Sequence, residues 1–299
     1  MTADSRRSLG SIVVAVAFVA AGCVTSAEAD GRSPELVPLA SPETVATATS
    51  PLTTTSTLPP TTTTTLPAND CAVAPIADPF YEKRCSVLGI EIVGSGAVSD
   101  EAIEAAAEHV HGMLVHRLDL AEALAEAGIS VAVIGADERI TDLPDFADLY
   151  RLYPGTEWRR TGRSFPGTAE IPMAAGAEEN LLCLEGDRFA GQDLFARDFA
   201  RTILRFGLAE VDTPGQREIE RAFNRAVGEG LWKDTLAEVN ADQYWAEITQ
   251  SHFDVNGYPD EDDDVESVRT RNDLRRYDPY GYGVALAVYT DTAWRPPCH

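Results

Sequence analysis

The chain has 299 residues with 24 Lys and Arg against 48 Asp and Glu, a formal net charge of -24. Residues 1–69 hold three basic and five acidic side chains, so residues 70–299 carry -22 of that charge. So acidic a surface repels nucleic acid and anionic lipid head groups, which excludes nucleic acid as a partner, while the 44% hydrophobic content is that of an ordinary globular domain.

At the N-terminus, Arg6 and Arg7 precede an uncharged apolar run from Ile12 to Ala21. That run has the length of a secretory signal core and is too short to span a bilayer as a helix. It ends in Ala20-Ala21-Gly22-Cys23, small residues before a cysteine. The pattern resembles a bacterial lipobox, which implies cleavage after residue 22 and a diacylglycerol anchor on Cys23. Ser5-Arg6-Arg7-Ser8-Leu9 also resembles a twin-arginine signal, and both export routes stay open. The expected location is the outer face of the bacterial cell membrane, with the lipid as the membrane contact.

From residue 24 to 69 the text becomes rich in Thr and Pro, as in Leu58-Pro59-Pro60-Thr61-Thr62-Thr63-Thr64-Thr65-Leu66-Pro67. Such a segment cannot bury a core and reads as an extended tether, with a reach on the order of 100 Å at ~3.1 Å per residue. Residues 70–299 are expected to form one folded domain. Setting Cys23 aside leaves Cys71, Cys85, Cys183 and Cys298, an even number in an exported chain. Two disulfides are expected, with three possible connectivities. There is no Cys-x-x-Cys pair, so a thiolate zinc site is not expected.

Ile90-Glu91-Ile92-Val93 and Ser130-Val131-Ala132-Val133-Ile134 read as strands. Between them, Ser99 and Asp100 cap a predicted helix with the apolar stripe Ile103, Ala107, Val110 and Leu114. A second helix runs from about Asp119 to Gly128. From about Gly191 the pattern is mostly helical. Thr213-Pro214-Gly215-Gln216 and Asn240-Ala241-Asp242-Gln243 read as capping boxes, and Asp278-Pro279 as the start of the last helix. The predicted class is α+β, a small sheet with flanking helices, rather than alternating βαβ units.

A series of landmarks follows the chain: Thr141-Asp142-Leu143-Pro144-Asp145, Glu178-Glu179-Asn180-Leu181-Leu182-Cys183, Gly186-Asp187-Arg188, Gly230-Leu231-Trp232-Lys233, Asn240, Tyr244-Trp245-Ala246-Glu247, Thr270-Arg271 and Tyr277-Asp278-Pro279. In this order, over roughly residues 80–289, they resemble the lethal-factor-like group of zinc metallopeptidases. The resemblance implies a zincin-like fold with a cleft. In that family the helix after the Gly-Asp segment carries His-Glu-x-x-His, whose histidines bind zinc and whose glutamate activates water. This chain has Arg197-Asp198-Phe199-Ala200-Arg201 there. Arginine has no lone pair to donate and stays charged, so it repels a divalent cation. The family's third ligand maps to Gln243, its assisting tyrosine to Leu236, and its outer carboxylate to Glu247.

The resemblance therefore implies a pseudoenzyme without zinc, whose former cleft or acidic surface binds a peptide, a protein or a cell-wall component. Arg197 and Arg201 could there hold an anionic group such as a peptide carboxylate. The plainer reading makes Asp198 and Arg201 a solvated helical ion pair, Gln243 the N3 partner of Asn240, and Leu236 a core residue. Two rivals stand beside it: an active metallopeptidase with ligands relocated to Asp198, Glu247 and His252, or a passive structural surface module. Other metal sites are not expected. His109 and His111 cannot share a helical face, while His109 and His116, seven apart, can. His252 reads as a packing residue. The oxygen-rich stretch with Asp254, Asn256, Asp260 and Asp262 lacks EF-hand spacing, so a solvated acidic loop is expected there rather than calcium.

Overall fold

The computed structural model describes residues 66–257 and 268–297. The signal segment, Cys23, most of the tether, Asp260, Asp262 and Cys298 lie outside the described residues. Within them the fold is α+β, as expected. A six-stranded mixed sheet has the order β1-β2-β3-β4-β6-β5. Its strands are β1 (Ala74–Pro75), β2 (Tyr81–Val87), β3 (Ile90–Ser95), β4 (Ser130–Ile134), β5 (Ser164–Phe165) and β6 (Met173–Ala177).

Strands β2 and β3 form a hairpin in which Val87 pairs with Ile90. The two intervening residues, Leu88 and Gly89, both have positive φ (50° and 82°), the backbone that a tight two-residue hairpin turn needs. A disulfide between Cys71 and Cys85 ties the entering chain to β2. Cys183 is disulfide-bonded as well.

Strands β3, β4 and β6 are mutually parallel, and β5 returns antiparallel along the edge beyond β6. Parallel neighbours require crossovers. The first is α1 (Asp100–Leu114) and α2 (Leu118–Glu126), both close to their predicted bounds. Ser99 caps α1 by accepting from the Ala102 amide, and the stripe Ile103, Ala107, Val110 and Leu114 is fully buried. The second crossover is irregular, with 3-10 turns at Ile140–Asp142 and Pro144–Phe146 and short helices α3 (Leu149–Leu152) and α4 (Trp158–Thr161). The preference for segregated strands over βα crossovers is thus corrected for the centre of the sheet: the short apolar strands left the parallel order invisible in sequence.

After β6 the chain is helical. It forms α5 (Glu178–Leu181), α6 (Leu194–Thr202), a π-helical segment (Ile203–Leu208), α7 (Ala209–Val211) and α8 (Thr213–Gly228). A 3-10 turn (Leu236–Glu238), α9 (Ala241–His252), α10 (Arg271–Tyr277) and α11 (Pro279–Tyr289) complete it. Helix α8 is capped by Asp212 and not by Thr213, because the Asp212 carboxylate accepts from the Gly215 amide. Asn240 caps α9 as expected, accepting from the Gln243 amide.

Alternation along β4 splits the core in two. Val131 and Val133 face the larger cluster, with Ile90, Ile92, Phe195, Phe199, Trp245 and the helices. Ala132 and Ile134 face a smaller one closed by Ile140, Phe146, Leu149 and Phe165. A Cβ at Gly176 of β6 would meet the Phe195 ring at 2.8–3.0 Å, so only glycine lets α6 lie this close to the sheet.

Candidate functional site

Helix α6 begins where Asp193 accepts from the Ala196 amide. Asn180 fixes the same turn: its Oδ1 accepts from the Leu194 amide and its Nδ2 donates to the Gln192 carbonyl and to Asp187. One turn in, the segment Arg197 to Arg201 stands on the helix.

Asp198 is 3% exposed. Its Oδ2 accepts from the Ser164 hydroxyl of β5 at 2.5 Å and from Arg197 at 3.4 Å, and its Oδ1 accepts from Arg197 at 3.4 Å and Arg201 at 3.2 Å. Arg201 Nε also donates to Asp242 Oδ2 at 2.6 Å, and Arg205 Nη2 donates to the same oxygen at 2.8 Å. Arg205 adds a bond to the Gly167 carbonyl. Three arginines on one helical run thus alternate with two carboxylates, and the row is anchored on the edge strand through Ser164.

Electrostatics follow from this packing. Burial pushes the Asp198 carboxyl up, but Arg197, Arg201 and the Ser164 hydroxyl together hold it below the usual carboxylate value. Burial pushes the Arg201 guanidinium down, and Asp198 and Asp242 more than reverse that. The expected solvated Asp198–Arg201 ion pair is therefore corrected: the pair exists, and its carboxylate is buried.

The other predicted positions scatter. Gln243 is half-buried in the first turn of α9, beside Asp242, with its amide on Asn240. Leu236 does not fill core space, being 44% exposed in its 3-10 turn. Glu247 is buried on α9 and its Oε2 accepts from Asn256 at 3.3 Å, within a cluster that includes Ser251. It does not join the Asp198 row.

His252 packs among Phe253 and Tyr289, as expected. Its Nε2 accepts from Arg271, and burial with the nearby Arg271 and Arg295 lowers it to about 3, so the ring is neutral. Asp254 accepts from the Arg271 amide and from Arg295, whereas Asn256 is buried toward Glu247 and Ser251, so these two residues do not converge on one point.

The histidines of α1 form no pair. His109 is fully buried with both ring nitrogens hydrogen-bonded, while His111 meets the Pro67 carbonyl. Among the described residues no group of three His, Cys, Asp or Glu side chains has the arrangement of a metal site. A groove of about 420 Å³ lies elsewhere, lined by Glu101, Glu104 and Glu108 of α1 with Leu182 and Pro297.

Sequence reasoning missed Ser164, Arg205 and Asp242. Arg197, Arg201 and Arg205 recur at four-residue spacing, which was a readable signal for one face. Ser164 comes from a two-residue strand that no pattern announces. No protein-family model, no curated protein and no solved structure matches the chain. What fold and site define is an α+β protein with a half-buried arginine–carboxylate row, centred on the buried Asp198, where the sequence resemblance implies a metallopeptidase centre.

Proposed function

We propose that this chain is a non-catalytic, metallopeptidase-like surface lipoprotein, anchored through Cys23, that binds a peptide, a protein or a cell-wall component. The carboxylate of Asp198, at the place of the family's water-activating glutamate, is committed to Ser164, Arg197 and Arg201, and that commitment carries the proposal. A general base needs a free lone pair and a pKa near the working pH. Asp198 has neither, since its neighbours hold it acidic. A divalent cation there would have to displace guanidiniums that already neutralise Asp198 and Asp242, and it would gain no imidazole in exchange. What persists is a rigid scaffold with partly exposed arginines and a strongly acidic surface, features suited to recognition rather than turnover.

The full chain should be equilibrated with micromolar zinc, dialysed and analysed for metal. Bound zinc far below one ion per chain is expected. Stoichiometric zinc that disappears in Asp198→Asn would overturn the proposal. Binding to peptide libraries and isolated wall fractions is the positive arm. Loss of binding in Arg197→Ala places the ligand at the arginine row, and absence of any binding removes the recognition role. Mass spectrometry of the N-terminal peptide should find diacylglycerol on Cys23, and an unmodified Cys23 in the mature protein would exclude the anchor.

A further inference from the structure

Among the described residues, the most deeply buried ion pair lies outside the arginine row and at its foot. His109 and Asp193 are both 0% exposed. His109 Nδ1 lies 2.6 Å from the Ala105 carbonyl oxygen, and Nε2 lies 2.7 Å from Asp193 Oδ2. A carbonyl oxygen can only accept, so Nδ1 carries a hydrogen. A carboxylate facing Nε2 then demands a second hydrogen between the two atoms. Without it, two acceptors would stand 2.7 Å apart in an apolar interior.

We propose that His109 and Asp193 share one buried proton that locks the start of α6 to α1, and that removing this proton in alkaline solution frees the helix bearing Arg197, Asp198 and Arg201. Asp193 is the joint that makes this reach α6. Its Oδ1 accepts from the Ala196 amide and caps the helix. Its backbone carbonyl accepts from Gln250 Nε2 of α9, and its backbone amide donates to the Val255 carbonyl. Its Oδ2 meets α1 through the shared proton.

The groups around the ring agree. From α1, Glu108 adds a second negative charge, and at the start of α6 Asp193 supplies the first. From α9, Gln250 is an uncharged amide. The rings of Phe195 and Trp294 pack against the imidazole at steep angles of 72° and 82°. Burial opposes the charged ring, and Asp193 more than offsets it, so the proton is held above the ordinary histidine value. A raised folded value gives stability that is complete below the unfolded value of about 6.5 and is lost as pH rises through the folded one.

The decisive variant is Asp193→Asn in the full chain. Its amide oxygen keeps the cap on Ala196, and its amide hydrogen satisfies Nε2 of a neutral ring, so no shared proton is needed. Urea unfolding should be followed from about pH 6 to 10. The folding constant of the wild type should fall by up to about tenfold per pH unit relative to the variant. Hydrogen exchange of the Ala196 amide should accelerate over the same range in the wild type alone. Equal pH dependence in the two proteins overturns the proposal. Should the variant not fold, histidine-selective ¹⁵N spectra of the wild type decide: a bridging proton coupled to His109 Nε2 at neutral pH is expected, and a bare Nε2 overturns the lock.

Discussion

Asp198 shows how the neighbours of a side chain set its role. A carboxylate among histidines can serve a metal-bound water, whereas the same group between two guanidiniums is a structural counter-charge. Removing it should therefore act on stability. In Asp198→Ala, Arg197 and Arg201 lose their shared acceptor while their side chains remain only about a fifth exposed. Breaking a buried pair on one side costs about 3–5 kcal/mol. The residual exposure places the expected loss near the lower end, about 3 kcal/mol by urea unfolding. The pH dependence has a definite sign. The folded carboxyl lies below its unfolded value, so its stabilisation is complete above about pH 4 and fades as pH falls through the folded value. The variant should accordingly show a flatter acid-unfolding profile than the wild type. An unchanged midpoint in both measurements would mean that the row contributes nothing to the fold.

Among the elements, the sequence landmarks gather into supports. Trp232 Nε1 and the Tyr244 hydroxyl both donate to Asp278 Oδ2, at 3.1 and 2.7 Å, and the Gly281 amide donates to Oδ1. The Trp232 amide donates to the Tyr277 hydroxyl. Three segments, at Trp232, at Tyr244 and at Asp278–Gly281, thus meet on one carboxylate that also caps α11. Asp278→Ala should cost about 2–4 kcal/mol, combining a lost cap with buried donors left unmet, as read from the shift in urea midpoint at unchanged slope. Asp278→Asn, which keeps an acceptor for the cap, should cost less. Glu178 acts similarly between the Ser99 and Ala136 amides, and Asn180 at the start of α6. Asp278 was legible in sequence because a cap answers to backbone geometry, whereas Glu178 and Asn180 stood out only as landmarks of the family resemblance. Helices α1 and α11 were legible through their caps, Ser99 and Asp278. The strands β5 and β6 were not: Ser164–Phe165 is two residues long, and Met-Ala-Ala-Gly-Ala lacks both β-branching and alternation. Hence the row's anchor at Ser164 stayed hidden, and with it the burial that separates Asp198 from a solvated surface pair.

On the scale of the whole molecule, charge is the dominant unbalanced quantity. Residues 70–299 carry -22, and a folded chain of about 230 residues has a radius of gyration near 17 Å. At 0.01 M salt the screening length is about 30 Å, so the excess of negative charge repels itself across the domain. At 0.15 M it is about 8 Å, and only neighbours interact. The unfolded chain, about 50 Å in radius of gyration, feels the repulsion less at either salt level. Salt therefore relieves the native state more than the unfolded one. An opposing effect comes from exposed ion pairs such as Arg151–Asp148 and Arg225–Glu229. These are worth about 0.2–1 kcal/mol each and are weakened by salt. Their partners stand within 3 Å, well inside the screening length at either salt concentration, so they lose less than the long-range repulsion does. The net expectation is a Tm higher by about 2–4 °C at 0.15 M than at 0.01 M NaCl, equivalent to about 1 kcal/mol in a domain of this size. Calorimetry of the wild type at the two concentrations tests the sign directly. A lower Tm at 0.15 M would show that local ion pairs outweigh the net charge, and that the acidic surface is organised rather than merely repulsive.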